Sequence, residues 1–68
     1  MNQELFDSAL KVIGYTNEQM QELLGISRTA FYRKRKGITQ FTLKEIATMM
    51  TVLPEELCGD IFFNAKVS

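Results

Sequence analysis

The tripeptide Gly25-Ile26-Ser27 constrains this chain most, because one helical pattern must stop and another start there with a single residue between. Glycine accepts the positive φ that closes a helix, and serine caps the free amides that open the next. Upstream, Thr16 followed three residues later by Gln19 forms a capping-box pattern, so a helix is expected over Asn17 to Leu24, burying Met20, Leu23 and Leu24. Downstream, the cap at Ser27 predicts a second helix running to Lys36, stopped by Gly37. A connection this tight forces the two helices to cross steeply.

The rest of the chain is punctuated in the same way. A first helix is expected from Asn2 to Ile13, with Leu5, Phe6, Ala9, Leu10 and Ile13 on one stripe, ended by Gly14. The polar stretch Ile38 to Phe41 leads to another capping box, Thr42 with Glu45, and a fourth helix carrying Leu43, Ile46, Ala47 and Met50. Pro54 suits the first turn of a fifth, where Glu55 and Glu56 complement the helix dipole, and Gly59 marks its end. The expected core is Leu5, Leu10, Ile13, Met20, Leu24, Phe31, Ile46, Met50, Leu53 and Leu57, with Met49 at core or core edge.

After Asp60 the pattern changes. Ile61, Phe63, Ala65 and Val67 alternate with Phe62, Asn64, Lys66 and Ser68, the period of a strand with one largely apolar face. A lone strand leaves its backbone unsatisfied, so antiparallel pairing with its own copy is expected, with Ile61, Phe63 and Val67 as dimer contacts. The competing expectation is that Ile61 and Phe62 cap the helical core. The fold class read from the sequence is all-α: one domain over residues 1–68, five helices, and a short extended tail over 60–68.

Several classes of function are disfavoured. A chain of 68 residues buries only about 60% of its unfolded surface, too little for a deep catalytic cleft. There is no histidine, and Cys58 is the single cysteine, so metal sites and nucleophile–base pairs have little to draw on. No enzyme activity, metal or cofactor is expected. Cys58 reads as a small half-buried hydrophobe in a reducing compartment. Apolar residues make up 46%, without a run long enough to span a bilayer, and Glu4 and Asp7 interrupt any signal-peptide pattern, so the cytoplasm is the expected location.

Eight basic residues balance eight acids, but the balance is unevenly spread. Arg28, Arg33, Lys34, Arg35 and Lys36 fall within nine positions, and no acid occurs between Glu22 and Glu45. With Phe31 turned to the core, helical geometry faces Thr29, Tyr32, Arg33 and Lys36 outward, with Arg28 beside them on the first turn. An α-helix fits the major groove of DNA, where an arginine fork holds guanine O6 and N7 and a threonine methyl meets that of thymine. The free amides at Asn17 and Ser27, Lys36, and the backbone of the Gly37 to Phe41 loop, with Thr39 and Gln40, can hold phosphates.

The stretch TNEQMQELLGISRTAFYRKRKG, Thr16 to Gly37, followed by FTLKEIATMMTVLPEEL, Phe41 to Leu57, resembles the phage repressor and Cro-type helix-turn-helix regulators. The tail IFFNAKV also looks like the end of small phage Cro-like proteins. The resemblance implies a compact five-helix domain like that of the lambda repressor, binding operator DNA as a homodimer. It places Asn17 on a phosphate, Arg28, Thr29 and Arg33 on base edges, and Tyr32 as an auxiliary contact.

The chain departs from the family pattern in two ways. Gln21 stands where a small residue is usual, and Lys34 and Arg35 occupy the last turn where one position is normally apolar. Both cations are expected to lay their stems on the core edge and present their charges to the DNA backbone. The alternative function is a protein-interaction module of the same fold, antirepressor or antitoxin-like, which the zero net charge favours.

Overall fold

Residues 1–63, the part of the chain that the computed structural model describes, form five α-helices: α1 Gln3–Ile13, α2 Asn17–Leu24, α3 Arg28–Arg35, α4 Leu43–Met49 and α5 Glu55–Cys58. No strand occurs among the described residues, and the class is all-α. The first four helices begin on side-chain caps, those at Thr16, Ser27 and Thr42 as expected, while Asn2, expected inside α1, is its cap. Asn2 Oδ1 accepts the Leu5 N–H at 3.0 Å, and Ser27 Oγ accepts the Ala30 N–H at 3.1 Å. Both capping boxes close in both directions. Gln19 and Glu45 donate their backbone N–H groups to the Thr16 and Thr42 hydroxyls, and their side chains accept the threonine N–H groups at 2.8 and 2.9 Å. Each cap satisfies amides that a helix cannot satisfy itself, a contribution of about 1 kcal/mol apiece.

Between α2 and α3 the chain turns on Gly25, whose φ is 67° and whose N–H donates to the Gln21 and Glu22 carbonyls. Gly37, with φ 82°, follows α3. A Cβ placed on Gly25 would meet no atom within 4 Å, so the glycine is needed for its backbone angle and not for space. Gly25→Ala should therefore lower stability by about 1–2 kcal/mol, the left-handed penalty of an L-residue. Chemical denaturation measures this directly, and a much larger loss would mean that crowding governs the turn.

The core is drawn from every helix: Phe6, Ala9 and Leu10 of α1, Met20 of α2, Phe31 of α3, Ile46 and Met49 of α4, and Cys58 of α5. Phe41, Leu53 and Ile61 complete it. The Phe6 ring lies 6.3, 6.2 and 6.3 Å from those of Phe31, Phe41 and Phe62, all at tilted or edge-on angles that suit aromatic quadrupoles. Of the expected core, Leu10, Met20, Phe31, Ile46 and Leu53 are buried, while Leu5, Ile13, Leu24 and Leu57 pack at its edge.

Met50 is a correction, being 43% exposed while Met49 is fully buried. α4 ends at Met49, and the stripe that faces inward is Ile46, Met49 and Leu53, at i, i+3 and i+7. Phe41, which the sequence placed in a polar connection, is also core.

The tail needs a larger correction. α5 ends at Cys58, beside Gly59 as expected, but Gly59 holds right-handed helical angles (φ −59°, ψ −46°), and the chain continues through a π-helical turn, Gly59–Phe63. The expected strand is therefore absent over Ile61 to Phe63. Leu57, Cys58, Ile61 and Phe62 stand at i, i+1, i+4 and i+5, a helical stripe that outweighs the local alternation. Ile61 is fully buried, and its carbonyl accepts the Asn2 N–H at 2.8 Å, tying the end of this turn to the start of α1. It is a core residue, not a dimer contact. Phe63 is 53% exposed, and Val67 lies outside the described residues.

Cys58 is buried, more so than expected, with its Sγ–H donating to the Pro54 carbonyl. That burial, reinforced by the negative charges of Glu55 and Glu56, pushes its pKa up and keeps the thiol protonated. No helix among the described residues is long and apolar enough to cross a membrane.

Candidate nucleic-acid interface

Nothing in α3 itself is buried except Phe31. That single anchor sets the phase of the helix, and the residues on the far side follow from it. Arg28, Thr29, Tyr32 and Arg33 are exposed, as is Lys36 at the C-cap. The Lys36 ammonium sits 5.6 Å from the centre of the Tyr32 ring, a cation–π contact that lays both side chains along the same face. α3 contains no acid, and among the described residues Arg28, Arg33 and Lys36 form no ion pair.

A groove of about 610 Å³ runs between α2 and the flank of α3 that carries Arg28, Phe31, Tyr32 and Arg35. Thr16, Asn17, Gln21, Arg28, Tyr32 and Arg35 line it. Gln21, the position where a small residue was expected, lies half-buried along this groove. Asn17 and Ser27 are exposed at the starts of α2 and α3, so their helix ends are open to an anion. Ser27 uses its hydroxyl as a cap. Thr39 and Gln40 are exposed in the loop after Gly37. Glu18 and Glu22 also border the groove, so its α2 wall is acidic where its α3 wall is basic.

Lys34 and Arg35 are not presented outward as expected. The Lys34 ammonium donates to Glu45 Oε1 on α4, with side chains only 16% and 13% exposed. Arg35 Nη2 reaches both carboxylate oxygens of Asp7 on α1, at 2.7 and 2.8 Å. Their stems do lie on the core edge, as the wheel suggests, but their charges are spent inside the domain. The cations that α3 and its cap keep outward are Arg28, Arg33 and Lys36. Pairing wins over snorkelling because an acid stands within reach of each ammonium or guanidinium, and a partly buried charge without a partner is costly.

Sequence reading missed Asp7 and Glu45 as partners. Glu45 was visible only as the third residue of a capping box, a role it also fills: one oxygen, Oε1, accepts both the Thr42 amide and the Lys34 ammonium. Asp7 carried no local signal, since it meets Arg35 across 28 positions of sequence.

Partial burial pulls the Glu45 pKa up, but the hydrogen bond from Lys34 and the Thr42 amide together outweigh it and hold the carboxyl below its ordinary 4.5. A depressed carboxylate pKa adds stability that is fully present above pH 4.5 and is lost as pH falls through the lower folded-state value. Glu45→Gln keeps the capping acceptor and removes the charge. The stability gap between wild type and this variant should be open at pH 7 and should close as pH falls through the lowered folded-state pKa. Denaturant midpoints of the two proteins across that range test this, and a gap that persists into acid would show that it does not come from the carboxylate charge.

Comparison with known proteins returns no match: no family model, curated protein or solved structure resembles the chain closely enough to be reported.

Proposed function

We propose that this chain is a sequence-specific double-stranded DNA-binding regulator of transcription, of the phage repressor and Cro type. α2 and α3 act as a helix-turn-helix, and α3 enters the major groove. The observation that carries this is the division of α3 into one buried anchor, Phe31, and an acid-free outer face of Arg28, Thr29, Tyr32 and Arg33, with Lys36 at its end. A helix set off by a tight turn and bearing Arg28 and Arg33, which form no ion pair among the described residues, has the shape and charge that base edges require.

In this reading Arg28 and Arg33 supply bidentate donors to guanine, the Thr29 methyl packs against thymine, and Tyr32 adds a contact at the rim. Phosphates are held by Lys36, by the helix starts at Asn17 and Ser27, and by the backbone around Thr39 and Gln40, fixing the register in which α3 reads. One domain covers one half-site, so the protein works on DNA as a homodimer, with Phe63 an exposed apolar residue among the described part of the tail. The setting is the cytoplasm, where the DNA is, and the chemistry calls for no cofactor.

Salt dependence separates this from a protein-interaction role for the same helices. Binding to duplex should weaken linearly on a log–log plot, with a slope of roughly −0.9 per phosphate neutralised. Fluorescence anisotropy of a labelled duplex from low to moderate salt gives the slope. A partner protein bound through apolar surface, with no duplex binding even at low salt, would favour the other function.

A further inference from the structure

We infer that Asp7 and Glu45, two acids outside α3, are positioning residues for base readout: by fastening Arg35 to α1 and Lys34 to α4 they set how the last turn of α3 presents Arg33. The inference rests on the DNA-binding reading above and adds to it the residues that would fix its geometry.

α3 has eight residues, and its one apolar anchor lies in the middle. A two-turn helix pinned at one point can pivot about it, and nothing apolar in Tyr32 to Arg35 is buried to prevent this. The ion pairs supply that restraint. Lys34 and Arg35 flank Phe31 on opposite sides of the wheel, within about 60° of it, and are drawn to two different helices. One link pulls toward α4, the other toward α1.

Both links are sheltered enough to hold geometry. Three of the four side chains are under one-fifth exposed, unlike the solvated pairs that contribute little. The Arg35 Nε–H is buried and, among the described residues, has no acceptor, so the guanidinium is held by Asp7 alone. The Lys34 link runs into the capping box of α4, because Glu45 Oε1 holds the Thr42 amide as well. Movement of the last turn of α3 would therefore strain the start of α4.

A purely electrostatic role for the acids predicts a different outcome. Removing a negative charge close to a basic face raises affinity for every duplex alike. Loss of positioning lowers the preference for the correct site over any other, because a misaimed arginine fork no longer matches its base.

The experiment uses the full chain and two duplexes, the one that wild type selects from a random pool and a scrambled version of it. Affinities for both are measured at fixed salt for wild type, Asp7→Asn, Glu45→Gln, and the swap Asp7→Arg with Arg35→Asp. Circular dichroism confirms that each is folded at the temperature used. The expected result is a selected-to-scrambled ratio reduced about tenfold in each single variant, with scrambled binding undiminished, and restored in the swap. An unchanged ratio in the folded single variants overturns the inference and leaves the pairs as stabilising contacts only, and so does a folded swap that fails to recover. Should Asp7→Asn not fold, Glu45→Gln decides alone, since it keeps the capping acceptor. If wild type prefers no duplex at all, the DNA-binding reading itself fails, and that arm distinguishes the two failures.

Discussion

Phe31→Ala should lose about 3–5 kcal/mol of folding stability, a large part of the roughly 5–15 kcal/mol available to a domain and more still of what a chain this short commands. Phe31 is 4% exposed, with its ring 6.3 Å from that of Phe6 and 6.2 Å from that of Phe41. Truncation removes the transfer energy of the ring and leaves a cavity that two rigid neighbours cannot fill by changing rotamer. It also removes the sole apolar anchor of α3, so the helix that bears the outer basic face should be the first element to loosen. Denaturant unfolding gives the magnitude, and amide exchange gives the order of loss. A variant that melts like wild type would remove the basis for assigning the outward face.

Arg33→Ala and Lys36→Ala should fail in different ways. Arg33 is exposed on the outer face without an ion pair among the described residues, and a bidentate contact to guanine is worth about 1–3 kcal/mol of discrimination. Its loss should relax the preference at one base position of each half-site and leave the others intact. Lys36, at the C-cap and over the Tyr32 ring, is placed for a phosphate. Its loss should weaken all sequences alike and flatten the salt slope by about one unit. Repeating site selection with each variant reads both effects, and base preferences untouched by Arg33→Ala would reverse the two roles. Lys34→Ala and Arg35→Ala are not simple members of this series, because each breaks a link to Glu45 or Asp7 as well as removing a charge.

Local signals made much of this fold legible. Caps at Thr16, Ser27 and Thr42 each mark a helix start, because an unsatisfied amide has few remedies and the side chains that supply one are distinctive. Phe31 was readable as the anchor of α3 for a similar reason: it is the one large side chain there without a polar tip. What was not legible is what distant segments decide. Ile61 to Phe63 alternates like a strand, yet contact with Phe6 and Phe41 draws Phe62 into a helical turn. Phe41 looks like part of a polar connection until the rings around it are assembled. Met49 and Met50 differ by one residue, and only the packing of Ile46 and Leu53 sets which of them faces in. In the candidate site, the outward face could be drawn on a wheel, whereas the diversion of Lys34 and Arg35 could not, since their acids come from α4 and α1.

Selection of binding sites from a pool of random duplexes tests the central claim most directly. The full chain should enrich one short motif, repeated with two-fold symmetry at a spacing of one DNA turn, about 34 Å, because each α3 reads a half-site and a homodimer presents two of them. A pool that remains random through successive rounds at low salt, where phosphate contacts are strongest, would contradict the assignment of α3 as a recognition helix.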